Sequence, residues 1–200
     1  MNSATLWTKL AFDGVILGWL VMVVVFALRR SRSLLQTQPE ARRDRTSLLA
    51  MALQGVGFFA VWAFKRPHGT SLFAMPPAAG IATGIVAVVL AAASVALATR
   101  AVLTLGKQWA LVARVVEGHR LVTEGPYARV RNPIYTGMLG MLIATGLVAS
   151  RWQALLVGVA IFLLGTWLRV RIEERLLRST FGAKFDDYVR KVPALLPRLF

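Results

Sequence analysis

Polar residues in this chain collect between stretches that are apolar almost without interruption. Five such runs stand out, Leu10 to Leu28, Leu48 to Phe64, Ala78 to Ala98, Ile134 to Ser150 and Trp152 to Val170, each 17 to 21 residues long. At 1.5 Å of rise per residue, a helix of that length crosses roughly 30 Å of hydrocarbon. The pattern therefore predicts an all-α integral membrane protein with five transmembrane helices. The first run does not read as a signal peptide. Only Lys9 precedes it, and it ends at Arg29-Arg30 without a small-residue cleavage pattern.

Between helices four and five stand only Ser150, Arg151 and Trp152, which predicts a tight antiparallel hairpin. The fourth run, at 17 residues, reaches about 25 Å, a length that crosses only if the turn is drawn into the interface, with Arg151 snorkelling and Trp152 at headgroup level. Gly137, Gly140, Gly146, Gly158 and Gly165 suit close packing within that hairpin, and the Ala- and Gly-rich third run suits close packing in lipid generally. The segment from Ser31 to Ser47 reads as a polar loop, and Lys65 to Pro77 as a short proline-rich turn. No internal repeat is present. The chain divides into an N-terminal membrane part, 1–98, and a second half, 99–200, that carries most of the remaining polar material.

Composition agrees, with 56% hydrophobic residues, and charge adds orientation. A net charge of +15 raises the question of nucleic acid, but the placement of the charges answers it. Twenty of the 24 basic residues fall in the segments after helices one, three and five, and four (Lys9, Lys65, Arg66, Arg151) fall on the opposite side. That asymmetry is the positive-inside signature, with the N-terminus outside and the C-terminus cytoplasmic. Membrane lipids, not nucleic acid, are the expected partner of the basic side. The chain has no cysteine and two histidines, His68 and His119, predicted on opposite sides, so thiolate chemistry and a histidine-built metal site are excluded and no metal is expected. Arginine in preference to lysine and an abundance of alanine point to a bacterial inner membrane.

Two polar stretches carry candidate chemistry. In Leu121 to Tyr135, Gly125-Pro126 and Asn132-Pro133 are turn signals, each proline pressing the residue before it toward an extended conformation. Backbone groups there are free for a ligand, or else the stretch is an interfacial loop with Tyr127 and Tyr135 at headgroup level and Arg129 and Arg131 on phosphates. The second stretch continues helix five with Arg169, Arg171, Glu173, Glu174, Arg175 and Arg178. Adjacent glutamates point about 100° apart and cannot share a partner. They form either a solvated face, Arg169 with Glu173 and Glu174 with Arg178 at i,i+4, or a receptor for a cationic ligand.

The ordered set LGKQW (105–109), GHRLVTEGPYARVRNPIYTG (118–137), the hairpin, and EERLLRSTFGAKFDDYVRKVPALLP (173–197) resembles the isoprenylcysteine carboxyl methyltransferase family and its phospholipid methyltransferase relatives, over residues 99–200. The resemblance implies an enzyme that moves a methyl group from S-adenosylmethionine to a lipophilic acceptor and releases S-adenosylhomocysteine, with the cofactor enclosed at the cytoplasmic face. Candidate acceptors are a prenyl-type carboxylate, a phospholipid amine or another small apolar nucleophile. Cofactor contacts carried over are His119, Leu121, Gly125, Pro126, Tyr127, Asn132, Pro133, Tyr135 and Glu173. Arg131 is expected to grip an anionic acceptor, and Glu174 to act at the reacting centre. In one departure, Arg131-Asn132-Pro133 stands where the family has Arg-His-Pro: if that histidine does acid-base chemistry the role is vacant here, and if it only positions the cofactor Asn132 suffices, since an amide still hydrogen-bonds. Two other readings are a sterol-reductase-like enzyme using NADPH and a non-catalytic lipid-binding protein.

Overall fold

The computed structural model describes residues 3–35, 40–43, 46–67, 77–109, 114–116 and 120–196. Five apolar helices appear where the runs place them: α1 (Ser3–Leu35), α2 (Ser47–Ala63), α3 (Pro77–Leu105), α4 (Pro133–Ala149) and α5 (Trp152–Phe181). A shorter amphipathic helix, α6 (Ala183–Lys191), follows α5 after the left-handed turn at Gly182 (φ 53°). Three helices, Leu6–Ser31, Ala78–Leu105 and Trp152–Phe181, have both the length and the composition to cross a membrane, while α2 and α4 are apolar but 17 residues each. The molecule is a multi-pass membrane protein.

The helices run past their apolar stretches. α1 continues through Arg29 and Arg30 to Leu35, and α3 through Arg100 to Leu105. Arginine and leucine are good helix formers, so hydropathy ends before the helix does. The polar segment 31–47 is not wholly a loop either. Residues Glu40–Arg43 form β1, paired antiparallel with β2 (Arg114–Val116) in the register Glu40↔Val116 and Arg43↔Arg114. Neither segment is long enough to display an alternation by which a strand could be read.

The hairpin of α4 and α5 forms, but its glycines serve mainly other helices. A Cβ on Gly137 would lie 2.7 Å from the Ser94 carbonyl oxygen of α3, and one on Gly140 would collide with the Ser94 hydroxyl. On α5, Gly158 and Gly165 face α2, where added Cβ atoms would meet the Gly57 and Ala50 carbonyl oxygens at 2.8 Å. Only Gly146 does what was expected of all five, admitting Leu155 of α5. The result is two close helix pairs, α3 with α4 and α2 with α5, joined through the hairpin, with α1 laid along α3 through Gly14, Gly18 and Gly84.

A clasp holds the hairpin turn. The Arg66 amide donates to the Ala149 carbonyl (3.0 Å) and the Arg151 amide to the Phe64 carbonyl (3.1 Å). The Arg66 guanidinium donates to the carbonyls of Leu147 (2.6 Å) and Ser150 (2.7 Å) at the end of α4. A cation at a helix C-terminus satisfies carbonyls that the helix leaves orphaned and suits the dipole.

Candidate active site

Beyond its apolar stretch α5 continues for more than a turn, and this extension presents both glutamates. Glu173 Oε1 accepts from the Tyr135 hydroxyl at 2.5 Å and from Arg169 Nε at 3.1 Å. The Arg169 guanidinium also lies 5.4 Å from the centre of the Tyr135 ring. Glu174 Oε1 accepts from Nε (3.0 Å) and Nη2 (2.8 Å) of Arg131. Of the two intrahelical pairs anticipated, Arg169–Glu173 forms and Glu174–Arg178 does not. Arg178 reaches forward to Asp186 on α6 (2.7 Å), and Glu174 has the two-point grip of Arg131 instead. The second carboxylate oxygen of each glutamate has no partner among the described residues.

The connector folds against this extension. Gly125 takes φ 59°, a left-handed value that only glycine adopts at no cost, and starts a 3₁₀ turn over Gly125–Ala128. Asn132 stands at φ −126°, ψ 60° ahead of Pro133, the first residue of α4. The two residues before proline are therefore not plain extended backbone, glycine escaping the restriction because it lacks a Cβ. Tyr127 and Tyr135 are buried, which removes the headgroup-anchor reading of both.

The chain's own C-terminal segment occupies the backbone groups that the proline turns were expected to free. The amides of Arg131 and Asn132 donate to the carbonyls of Pro193 (2.8 Å) and Ala194 (3.1 Å). Asn132 Nδ2 donates to the same Ala194 carbonyl (3.0 Å) and the Thr136 hydroxyl to that of Leu195 (2.6 Å). Arg131 Nη1 donates to the Val189 carbonyl (3.2 Å) and to that of Val192. The Arg131 fork, expected to hold an anion, is thus engaged on all sides by Glu174 and the tail. The Tyr188 hydroxyl of α6 donates to the Tyr127 carbonyl at 2.6 Å, closing the third side. Burial pushes the Tyr188 phenol up to about 12 despite the opposing charge of Arg131. Burial, and the charge of Glu173, hold the Tyr127 phenol above its ordinary value.

These pieces surround a cavity of about 380 Å³. Leu121, Tyr127, Arg131, Asn132, Tyr135, Glu173 and Glu174 line it, so seven of the anticipated residues share one wall system. Gly125, Pro126 and Pro133 shape the turns without facing it, and His119 lies outside the described residues. The opposite wall was not anticipated. It brings Met51, Gln54, Gly55 and Phe58 from α2, Phe26 from α1 and Trp109 after α3, with Phe26 and Trp109 in ring contact at 5.5 Å. One signal was readable: Gln54 is the one amide side chain in the apolar run 48–64, and a polar group buried in so apolar a stretch needs a hydrogen-bonding partner. Among the described residues no three His, Cys, Asp or Glu cluster as a metal site.

Residues 82–184 match the profile of the phospholipid methyltransferase family, more than half of the chain, and the match takes in most of α3, the connector, the hairpin and both glutamates. The chain belongs to the phospholipid methyltransferase family. It is 34% identical over 97 residues to the cobalt-zinc-cadmium resistance protein CzcN of Cupriavidus metallidurans, covering 48% of this chain and 44% of that protein. It is 35% identical over 83 residues to the protein-S-isoprenylcysteine O-methyltransferase of Schizosaccharomyces pombe, covering 40% and 34% respectively. The chain thus spans less than half the length of these curated relatives. Its fold resembles that of the eukaryotic intramembrane Ras methyltransferase ICMT (isoprenylcysteine carboxyl methyltransferase), with a TM-score of 0.51 and 24% identity over 78% of this chain and 53% of that one. Within the phospholipid methyltransferase family match, the cavity's glutamate wall is included and its α2 wall is not.

Proposed function

We propose that this protein is an integral membrane methyltransferase that uses S-adenosylmethionine and acts on a lipophilic acceptor. The observation that carries the reading is the cavity itself. At about 380 Å³ it lies within the range of cofactor sites, roughly 300–1,000 Å³. Its chemistry suits a molecule with a cationic part and a flat apolar part. Two carboxylates each leave one oxygen unengaged, and buried aromatic rings stand beside them. Bound there, S-adenosylmethionine supplies an electrophilic methyl group on a sulfonium.

The chain's own residues would then divide the work. Glu173 and Glu174 receive positive charge, the Tyr127 and Tyr135 rings offer their faces to it, and Asn132 and Leu121 line the same side. Gly125, Pro126 and Pro133 fix the turns that place those side chains. Arg131 acts as a positioning residue, aiming Glu174 and binding the tail, and not as the anion grip expected of it. The C-terminal segment and α6 cover the site and exclude water. Asn132, bonded to the tail, fits a positioning role at the place where the family carries histidine. Methyl transfer from a sulfonium demands mainly alignment, so so few polar groups suffice.

We further assign five membrane crossings, with the N-terminus outside and the cavity and C-terminus on the cytoplasmic side. The 20-to-4 partition of basic residues supports this orientation. The catalytic half is 99–200, with α1 and α2 completing the chamber. Calorimetry of the purified protein in detergent tests the reading. We expect saturable binding of S-adenosylhomocysteine and none of NADPH; NADPH binding alone would establish the reductase reading in its place.

A further inference from the structure

Gln54 brings a polar group to the apolar wall of the cavity and leaves one end of it unused. Met51, Gln54, Gly55 and Phe58 follow i, i+3, i+4, i+7 along α2, so one face of that helix forms the wall. Gln54 is 4% exposed. Its Nε2 donates to the Thr166 hydroxyl of α5 at 2.9 Å, and Oε1 has no partner among the described residues. Exchanging the amide's oxygen and nitrogen leaves an unused NH₂ instead, so one pole stays available either way. A buried polar group without a partner needs an explanation, and a ligand that completes it is one.

The charges around the cavity indicate what that ligand is. Each of the three lining arginines has a carboxylate partner: Arg120 with Glu124, Arg131 with Glu174 and Arg169 with Glu173. The cavity residues contributed by α2 besides Gln54 are a glycine and two apolar side chains. A carboxylate or phosphate seated there would face a neutral amide with no uncommitted cation among the described lining residues. We infer that Gln54 binds the polar head of the methyl acceptor, and that this acceptor is an uncharged apolar molecule with one hydrogen-bonding head, not a phospholipid or a carboxylate. The inference rests on the methyltransferase reading and concerns recognition alone; no bond is made or broken at Gln54. It draws on α2, which lies outside the family match.

The test uses the full chain in lipid nanodiscs, titrated with decane, 1-decanol and decanoate. Tryptophan fluorescence reports binding, since Trp109 lines the cavity. Wild type should prefer decanol to both other probes. Gln54→Met, which keeps the length and removes the amide, should weaken decanol about 3- to 10-fold, the worth of one neutral hydrogen bond, and leave decane unchanged. Because lipid partitioning is the same for both proteins, the ratio isolates the site. Equal decanol affinity in wild type and variant, or a preference for decanoate, overturns the inference. Should Gln54→Met fail to fold, Thr166→Val replaces it: releasing the amide from its orienting hydroxyl should also weaken decanol, and no change overturns the inference. A parallel S-adenosylhomocysteine titration of wild type separates the two readings. Its failure defeats methyl transfer without altering the decanol comparison.

Discussion

Glu173 and Glu174 differ in sequence by one position and in surroundings almost completely. Glu173 is held by Tyr135 and Arg169, and its charge is felt at Tyr127; Glu174 is locked to Arg131, which also ties down the tail. Glu173→Ala should therefore lower S-adenosylhomocysteine affinity by about 10- to 100-fold, the loss of one charged hydrogen bond, in a calorimetric titration. Glu174→Ala should instead lower the melting temperature, because a mostly buried Arg131 loses its partner. Equal effects of the two changes on affinity would contradict this division. Tyr188 supplies a pH signature. Its native pKa is raised to about 12 above an ordinary value near 10, so the folded state holds a proton that the unfolded chain has released. That contribution is complete below pH 10 and is lost as pH rises toward 12. Thermal unfolding followed from pH 9 to 12 should show the loss, and Tyr188→Phe should flatten it. At this scale the sequence was half legible. Helical spacing found Arg169–Glu173, but it could not reveal that Arg131, 43 positions away, would outbid Arg178 with two donors.

Helix positions were readable because a run of apolar residues long enough to cross a bilayer admits few other structures. Packing partners were not, because a glycine shows that something approaches closely without showing what. The hairpin glycines illustrate this: Gly137 and Gly140 admit α3, while Gly158 and Gly165 admit α2. Gly57→Ala makes the contact measurable, since the added Cβ would lie 2.7 Å from the Gly158 carbonyl oxygen, a backbone atom that cannot swing aside. Overpacking of this kind costs about 1–3 kcal/mol, to be seen as a lower melting temperature in detergent. Gly55→Ala on the same helix meets nothing within 4 Å and should be neutral or gain up to about 1 kcal/mol in helix propensity. A similar loss from both would show that the α2–α5 contact is not what the first substitution disturbs.

Across the whole molecule, the cavity draws on both halves of the chain. The half that carries the motifs was legible as such. The α2 wall was not, because its contribution is apolar surface indistinguishable in sequence from membrane-facing surface, Gln54 excepted. The C-terminal segment is the other long-range contributor, and it closes the site by offering carbonyl oxygens to Arg131, Asn132 and Thr136. Removing residues 193–200 should abolish S-adenosylhomocysteine binding in calorimetry, whereas Ala194→Ser in the intact chain should bind as wild type does. Every carbonyl is alike, whatever letter carries it. This strap is consequently held by reach and not by spelling: a change of side chain leaves its oxygens in place, whereas one residue more or fewer would slide each of them off its donor.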